Sequence, residues 1–464
     1  MYETTLKFDY SKEPSRDILC IDCKSFYASV ECADRDLHPL KTKLVVMSYP
    51  SGSRSKRRGS GLILASSPMA KQAYDISNVS RARDLPFPYP SDLHIVPPRM
   101  GLYMQKNMEI NTIYKKYADE DNHHVYSVDE SFLDVTNSLK LFHCDTAFEL
   151  AALIQRDVHR QTGIYTTVGI GDNPLLAKLA LDNESKHNSH MKAEWRYEDV
   201  PSKLWNIPEI TDFWGIGKRT ALRLKQLHIH SLYDLAHTNY YVLKDTLGII
   251  GTQHFAHAWG IERSFLGEPV KPKGKSIGNS QVLPHDYTRR QEIEVVIKEM
   301  ADQVGTRLRR IHAQSEVISL GVHFSMSYQD LDGKSGFHQQ LKISATSNSK
   351  QLSAGFLQLF RKQYNGQVVR SISVNCSHLV YTNGIQLNLF KEPASEVRDI
   401  AVDKIVDTVR RKYGFKSIIH ANSLMDGGRA IARSSLVGGH AGGMAGIEGD
   451  SHEKTNKKSI QRLQ

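Results

Sequence analysis

Three acidic residues stand where the chain could bind a metal ion. Asp129 and Glu130 lie side by side between two apolar, β-prone segments, residues 124–126 and 132–135, and Asp22 ends another apolar segment directly before a helix-like stretch. Two strand ends lying side by side would bring the three carboxylates together. Carboxylate oxygens suit hard ions such as Mg²⁺, and two such ions about 3.5–4 Å apart serve in-line displacement at phosphorus. For the Asp129-Glu130 pair alone, a solvated acidic turn is the alternative interpretation.

Composition limits the classes of protein that remain. A chain of 464 residues with 40% hydrophobic content predicts several globular domains. A net charge of +10 and a pI near 9.1 favour a polyanionic partner such as nucleic acid. No run of 18 apolar residues and no secretory signal is found, so we expect a cytoplasmic protein without a membrane segment.

The cysteines give no sign of a disulfide framework. Their number is five, which is odd, and they are scattered along a long chain. Cys20 and Cys23 form a Cys-x-x-Cys pair, but a zinc site would need a second pair of ligands at a suitable spacing. The pair also lies in a strand-like run rather than at a helix start, so we expect a structural or incidental role.

The elements around the acids predict an α+β fold. Hydrophobic periodicity indicates strand and helix in the order βαββαβ. This order predicts a ferredoxin-like layout with helices on one face of an antiparallel sheet and the opposite face free for a ligand. The strands and helices indicated along this part of the chain, from which that order is taken, are a strand and helix within residues 17–31, a strand at 93–96, a helix at 100–117, the two strands of the acidic hairpin, a helix at 146–161 and a strand at 164–170.

A Gly-x-Gly turn follows this region. Gly215 and Gly217 precede Lys218 and Arg219, in the pattern of a helix-hairpin-helix. Such a turn offers backbone N–H groups to a DNA phosphate, and the two basic side chains add positive charge. Taken alone, the Gly-x-Gly pattern is weak evidence.

The last third of the chain predicts a separate α/β domain. A long helix is indicated over residues 290–311 and strands over 317–322 and 368–374. Basic side chains on a sheet can follow a nucleic-acid backbone without reading bases. The candidates are Lys275, Arg289, Arg290 and Arg370, for each of which a surface salt link is the alternative.

Two longer motifs, residues 21–31 and 126–136, resemble the opening strand and helix and the catalytic hairpin of the Y-family of translesion DNA polymerases. Further similarity extends over residues 17–390, closest to the UmuC/DinB-type bacterial branch and, within it, to UvrX-like UV-damage repair proteins. The resemblance implies a multidomain right-hand polymerase with a βαββαβ palm, small fingers, a helical thumb and an α/β little finger. The implied boundaries are palm 15–32 and 93–195, fingers 33–92, thumb 196–266, linker 267–275, little finger 276–382 and C-terminal tail 383–464.

The resemblance also implies the chemistry. It predicts error-prone, template-directed extension of a primer past DNA lesions, from deoxynucleoside triphosphates, in an SOS-type damage response. Two Mg²⁺ ions would be held by the side chains of Asp22, Asp129 and Glu130 and by the backbone carbonyl of Cys23. Asp134 lies on the same hairpin, but we expect its parity to direct it away from the pair, in a structural role.

Four residues are implied to contact the nucleotide. Tyr27, after Phe26, stands where the family places its steric gate against a 2′-hydroxyl; without the resemblance both would be interpreted as core aromatics. The family's Tyr-x-x-Arg pair is replaced here by Pro68 and Lys71, and lysine supplies a point charge without the bidentate geometry of arginine. Lys186 matches a second phosphate-binding position only if one residue is inserted.

A short peptide resembles the motif by which bacterial polymerases bind the β sliding clamp; its anchors are Gln386, Leu387, Leu389 and Phe390. A short buried strand or helix start is the alternative. The expected partners are primer–template DNA, the clamp and accessory SOS proteins. Two other functions compete with polymerisation: a catalytically silent DNA- or clamp-binding protein, and another two-metal enzyme such as a nuclease or cyclase. The three acids argue against the first, and the thumb turn and clamp peptide against the second.

Overall fold

The computed structural model describes residues 8–48, 61–77, 80–268, 274–328, 333–381, 392–434, 436–437 and 440–441. The chain forms two compact units, Met1–Pro269 and Val270–Gln464. Most of the predicted linker and the clamp peptide lie outside the described residues, as does a basic segment of the fingers region, residues 54–58. None of the described helices is both long enough and apolar enough to cross a bilayer.

The first unit contains eight strands among its described residues: β1 (Ile18–Cys23), β2 (Lys43–Ser48), β3 (Leu62–Ser66), β4 (Leu93–Val96), β5 (His123–Val125), β6 (Glu130–Asp134), β7 (Thr166–Gly171) and β8 (Lys192–Trp195). Its helices are α1 (Phe26–Ala33), α2 (Pro68–Tyr74), α3 (Met100–Tyr114), α4 (Ala147–Thr162), α5 (Pro174–Asn183), α6 (Lys218–Gln226), α7 (Leu232–His237), α8 (Tyr240–Leu247) and α9 (Ile249–Ala258).

A five-stranded sheet carries the acidic residues. Its strand order is β5-β6-β1-β7-β8, antiparallel except for the parallel β7–β8 pair. The first four strands have the ferredoxin-like order predicted from the βαββαβ pattern. Strand β7 is buried along its whole length, and β1 is buried except at Asp22, as expected for central strands covered by helices.

The expectation that one face of this sheet stays free is wrong. Helix α5 packs directly on the face that carries Ile18 and Cys20, and its Ala177 and Leu181 share a core cluster with them. Close approach is possible because β7 presents glycines there: a Cβ at Gly169 or Gly171 would collide with the α5 backbone. The acids at the strand ends therefore lie beside a helix rather than on an open sheet.

A second, three-stranded sheet has the order β3-β2-β4, and its strands β2 and β3 lie within the region assigned to the fingers. Strand β4 pairs in parallel with β2. Residues 93–96, which were assigned to the palm, therefore join this sheet and not the palm sheet, and the intervening β3 and α2 supply the crossover that a parallel pair requires. Val45, Met47, Ile63 and Leu85 form the core of this small region.

The four helices α6 to α9 form the predicted helical region after the palm. Their core includes Phe213, Ile216, Leu224 and Trp259. Tryptophans of this region also find backbone acceptors: the half-buried Trp205 donates from Nε1 to the Ala258 carbonyl at 2.8 Å. The helical hairpin expected from the Gly-x-Gly pattern is present, with α6 beginning at Lys218.

The second unit has a four-stranded antiparallel sheet, in the order β11-β10-β12-β9, with two helices packed against it. Apolar residues of the strands and helices form one continuous core, in which Ile293, Met300, Ile318 and Phe356 are fully buried. The elements are β9 (Ile277–Tyr287), α10 (Arg290–Arg310), β10 (Ala313–Phe324), β11 (Gly336–Thr346), α11 (Ser349–Gln363) and β12 (Val369–Tyr381).

The segment assigned to a C-terminal tail belongs to this unit. It forms α12 (Pro393–Tyr413), α13 (Ala430–Arg433), β13 (Leu436–Val437) and β14 (His440–Ala441). Arg309 on α10 reaches Asp407 at 2.6 Å and Asp403 at 3.2 Å, and Arg410 reaches Asp302 at 2.7 Å. The residues after 382 that the structure describes therefore pack on α10 through α12.

Candidate active site

Strand register brings the three acids together, as the sequence predicted. Asp22 lies directly opposite Glu130 in the β1–β6 ladder. The Cys23 N–H donates to the Asp129 carbonyl at 2.9 Å, and the N–H groups of Tyr126 and Ser127 both donate to the Glu130 carbonyl at 3.0 Å. The β5–β6 turn is thus fixed against the end of β1.

Each carboxylate has a different partner. Lys186 Nζ lies 2.8 Å from Asp22 Oδ2, Ser127 Oγ donates to Asp129 Oδ1 at 2.7 Å, and Lys178 Nζ lies 2.6 Å from Glu130 Oε1. Burial raises the pKa of Asp22 to about 6; Lys186 opposes this rise, while Asp129 and Glu130 add to it. The raised pKa follows from placing like charges close together in a site that water reaches poorly.

Lys178 was missed by sequence reasoning. Its side chain is only 9% exposed and also lies 3.1 Å from Asp182 Oδ2. A lysine inside the apolar stretch 175–181 was the available signal, since a buried ammonium group requires a partner. The partner is Glu130, which also accepts a hydrogen bond from Cys20 Sγ at 3.0 Å.

The cysteines behave as predicted. All five are free, and Cys20 and Cys23 are buried in β1. Burial raises the pKa of both thiols well above the usual range. Both side chains are packed inside the sheet, and Cys20 donates a hydrogen bond to Glu130.

The donor set suits a hard divalent cation. Three carboxylates converge at adjoining strand ends, and two of them already hold lysine ammonium groups. In the part of the chain that the structure describes, no three His, Cys, Asp or Glu side chains stand ready in metal-binding geometry. Glu130 is turned toward Lys178 and Asp129 toward Ser127, so metal binding would require these side chains to change partners.

Asp134 is placed as expected but for another reason. It has the same parity as Glu130, so the parity argument was wrong. What separates it from the acid site is the length of the strand: Asp134 lies opposite Ile18 at the other end of β1. There it accepts a hydrogen bond from Thr136 Oγ1 at 2.6 Å, and Arg16 lies 3.9 Å away.

Of the two aromatic residues predicted at the nucleotide site, only Tyr27 has substantial exposed surface. Phe26 is 3% exposed and lies in the core, so its assignment to nucleotide contact is corrected. The Tyr27 ring stacks on Tyr103 with 4.4 Å between centroids. The Tyr103 hydroxyl donates to buried Glu31 at 2.6 Å, which fixes the ring beneath Tyr27.

Three lysines lie near Asp22. Lys186 is on the 3₁₀ turn after α5, and Lys24, which sequence reasoning missed, donates from Nζ to the Lys186 carbonyl at 3.3 Å. Burial lowers the pKa of Lys71, Asp22 opposes that change, and the positive charges of Lys186 and Lys24 lower it further. The two predicted phosphate-binding lysines therefore share one electrostatic environment with the acids.

The predicted phosphate-binding turn borders a cleft. Gly215 has a φ of +95°, a conformation that favours glycine. Gly217 is the N-cap of α6, and a Cβ added there would have no atom within 4 Å, so the space beside it is open. Lys218 and Arg219 are exposed on the first turn. A cleft of about 790 Å³ lies between this turn and the end of α5, lined by residues including Asp182, Asn183, His187, Trp214, Gly215 and Gly217.

The basic candidates of the second unit have local partners. Arg289, Arg290 and Arg370 lie 3.7, 2.9 and 3.5 Å from Glu292, Glu294 and Asp286 respectively, and Lys275 lies over the Tyr381 ring. The three arginine contacts match the salt-link alternative, whereas the Lys275 contact is with an aromatic ring. Strand β11 instead exposes a polar row that sequence reasoning missed, although its period-two alternation was visible: His338, Gln340 and Lys342.

Comparisons with known proteins agree with this architecture. The impB/mucB/samB family model matches residues 21–182, the C-terminal domain of that family matches 274–389, and the IMS family HHH motif matches 197–229. The putative UV-damage repair protein UvrX of Bacillus subtilis (strain 168) is 39% identical over 435 residues, 93% of this chain and 99% of the relative. DNA polymerase IV 2 of the same strain is 33% identical, covering 91% and 98%.

A solved Y-family DNA polymerase chimera, Dbh-Dpo4(243-245)-Dbh, shares the fold, with a TM-score of 0.60, 22% identity and coverage of 79% of this chain and 100% of the chimera. Fold and relatives define the class of protein as a DNA-directed DNA polymerase. The chain belongs to the impB/mucB/samB family, within the Y-family of translesion DNA polymerases.

Proposed function

We propose that this polymerase extends primers past template lesions by two-metal-ion nucleotidyl transfer, with low fidelity. The observation that carries the proposal is the convergence of Asp22, Asp129 and Glu130 at adjoining strand ends. Three lysines stand beside those acids. Acids and lysines together match a reaction in which a metal-bound triphosphate reacts with a primer hydroxyl.

The acids would hold Mg²⁺ through Asp22, Asp129, Glu130 and the Cys23 carbonyl. The chemistry that Mg²⁺ supplies when bound is a lower pKa for the primer 3′-hydroxyl and charge neutralisation on the leaving pyrophosphate. In this chain, Lys178 anchors Glu130 from α5, and the β5–β6 turn sets the position of Asp129. No protein nucleophile is required.

The nucleotide would be held by the lysines and selected by Tyr27. Lys71, Lys186 and Lys24 supply positive charge for the triphosphate, with Lys71 in place of the family's arginine. Tyr27 would lie beneath the incoming sugar, and its stacking on Tyr103 keeps the ring from yielding to a 2′-hydroxyl.

DNA would be held at two regions. The turn at Gly215 to Gly217, with Lys218 and Arg219, suits the phosphates of a duplex. In the second unit, the exposed polar row of β11 adds Lys342 to the arginines predicted from sequence. Salt-dependent binding without base preference is the expected result.

The test is primer extension with purified protein, on undamaged templates and on templates with a thymine dimer. Extension on both templates with Mg²⁺, and none with excess chelator, is expected. Binding of primer–template without extension in Mg²⁺ or Mn²⁺ would support the alternative, a catalytically silent DNA- or clamp-binding protein. Cleavage of the DNA would instead indicate a nuclease.

The clamp peptide extends the proposal to a partner. Gln386, Leu387, Leu389 and Phe390 lie outside the described residues, between β12, which ends at Tyr381, and α12, which begins at Pro393. Replacing all four by alanine should remove stimulation by the β clamp and leave basal extension intact, because each apolar anchor buried in the clamp contributes roughly 1.5–3 kcal/mol. A loss of thermal stability with clamp binding unchanged would assign the peptide to a packed element instead.

A further inference from the structure

Trp214 joins two parts of the first unit. It packs on the core cluster that contains Phe213 and Ile216 of the thumb together with residues of α5 and β8, and also on the palm cluster that contains Ile18 and Phe132. It is followed at once by Gly215, the first residue of the predicted phosphate-binding turn. The position of that turn relative to the palm sheet therefore depends on how this indole is seated.

The palm side of this contact is the catalytic hairpin. The rings of Trp214 and Tyr126 meet edge to face, with centroids 6.0 Å apart, and Trp214 Nε1 donates to Tyr126 Oη at 3.4 Å. Phe132 lies 6.1 Å from the same indole. Tyr126 is 45% exposed, so the contact is not explained by burial of the phenol ring in a core.

Tyr126 is linked to the acids through the backbone. Its N–H donates to the Glu130 carbonyl, and the next residue, Ser127, donates from Oγ to Asp129 Oδ1 at 2.7 Å. A shift of Tyr126 would therefore move the turn that carries Asp129 and Glu130. The contact path runs from the glycine turn through Trp214 and Tyr126 to both acids.

The cleft beside Trp214 indicates a function for this chain of contacts. Its walls are the glycine turn on one side and the end of α5 on the other, and its volume of about 790 Å³ is in the range of ligand sites. A nucleic-acid strand held at the turn would have to present its end to the acids across this gap. Reacting groups displaced by about 1 Å can lose on the order of 10²-fold in rate.

We propose that the Tyr126–Trp214 pair is a positioning bridge. It sets the distance between the predicted phosphate-binding turn of the thumb, where the primer strand would be held, and the hairpin that carries Asp129 and Glu130. This inference rests on the proposed polymerase mechanism. Both residues act through others: they neither hold metal nor react. The bridge determines where the primer 3′ end lies and has little part in how tightly the duplex binds.

The experiment compares Trp214→Leu, Tyr126→Leu and the double variant. Primer–template Kd and the maximal single-turnover rate are measured for each, well below its thermal midpoint. Each single variant should lose at least about 10-fold in rate with less than about 3-fold change in Kd, and the double variant should lose no more than the worse single variant. Trp214→Phe and Tyr126→Phe each keep an aromatic ring at the substituted position, and each should recover most of the rate.

The matched control is Trp205→Leu. This thumb tryptophan donates instead to the backbone carbonyl of Ala258, and its aromatic partners among the described residues, Tyr233, His237 and Trp259, all lie in the thumb, so the variant should lower thermal stability without lowering the rate. Equal rate losses in this variant and in Trp214→Leu would overturn the bridge, as would losses in the double variant that multiply.

A second measurement does not depend on catalysis. A primer with a photoreactive 3′-terminal base is crosslinked to metal-free protein, and the attached peptide is mapped. Attachment near the catalytic hairpin in the wild type, and its loss or spread in Trp214→Leu, is the expected result. An unchanged attachment site would overturn the bridge, whereas a wild type that crosslinks there but never extends primers would instead overturn the proposed mechanism.

Discussion

Two buried acid clusters, one in each unit, have opposite electrostatic character. Asp22 in the palm and Asp302 in the second unit have similar side-chain exposure, 18% and 10%. Burial raises the pKa of Asp22 to about 6, with further increases from Asp129 and Glu130. Burial acts in the same direction on Asp302, but contacts with His420 and Arg410 outweigh it and lower that pKa to about 2.

The difference lies in the partners. Around Asp22, two more acids add negative charge, and each lysine contacts a single carboxylate oxygen of an acid: Lys186 that of Asp22 and Lys178 that of Glu130. Around Asp302, Arg410 lies at 2.7 Å, and the neighbouring Asp403 and Asp407 are held by Arg309. Acids held by single lysine contacts can exchange those partners for a further cation, whereas a cluster saturated by arginine, whose Arg309 holds both oxygens of Asp407, serves the fold. Aspartate thus belongs to the candidate active site in the first unit and to a structural ion-pair cluster in the second.

The largest expected effect comes from Asp129→Asn, which removes one carboxylate charge from the palm cluster around Asp22. Extension should fall on the order of 10³-fold, because metal charge stabilisation supplies several kcal/mol and each 1.4 kcal/mol is tenfold. Primer–template binding should persist. Asp302→Asn is the comparison, and it should leave the rate per folded molecule unchanged; near-normal extension by Asp129→Asn would remove the catalytic assignment.

Arg309→Met tests the saturated cluster. Arg309 is 11% exposed, and its loss leaves Asp403 and Asp407 without their guanidinium partner, so the free energy of unfolding should drop by about 3–5 kcal/mol. Urea unfolding measures the change. The matched control is Lys350→Met, which breaks the exposed pair with Asp399 and should change stability by less than about 1 kcal/mol. Similar effects in both variants would contradict the comparison.

Tyr27→Ala tests whether discrimination between deoxyribonucleotides and ribonucleotides depends on the Tyr27 ring and not on the charges of the palm cluster. Loss of the ring should reduce discrimination against ribonucleotides by about 10–200-fold, the range expected from shape in an apolar pocket. Insertion of deoxynucleotides should change much less, since the acids and lysines remain. Competitive single-nucleotide insertion measures the ratio, and unchanged sugar selectivity would return Tyr27 to a structural role.

The smallest effect concerns His420, whose Nε2 lies 3.5 Å from Asp302 Oδ1. Its hydrogen bond with Asp302 raises the pKa of His420, so its contribution to stability is complete below the ordinary value of 6.5 and is lost as pH rises through the folded-state pKa. Compared with His420→Gln, the wild type should be more stable at pH 6 by less than about 1 kcal/mol, and the advantage should vanish at high pH. A constant difference across this range would show that the charge of His420 does not matter.

The sequence by itself determined the elements and the acid site. Apolar runs of strand length, a turn that carries Asp129 and Glu130, and Asp22 at the end of another run specify three strand ends because side-chain alternation and hairpin geometry are local. The Gly-x-Gly turn before α6 is local in the same way. Those features predicted the palm order correctly.

Only the tertiary structure decided which side chains meet across elements. Local periodicity did not predict that Lys178 on α5 neutralises Glu130, that β4 joins the sheet of β2, or that α12 closes on Arg309. Each of these contacts depends on helix and sheet packing between residues far apart in sequence, where burial and charge partners are set by the whole fold. For that reason the position of the acids could be predicted from the chain, and their electrostatic state could not.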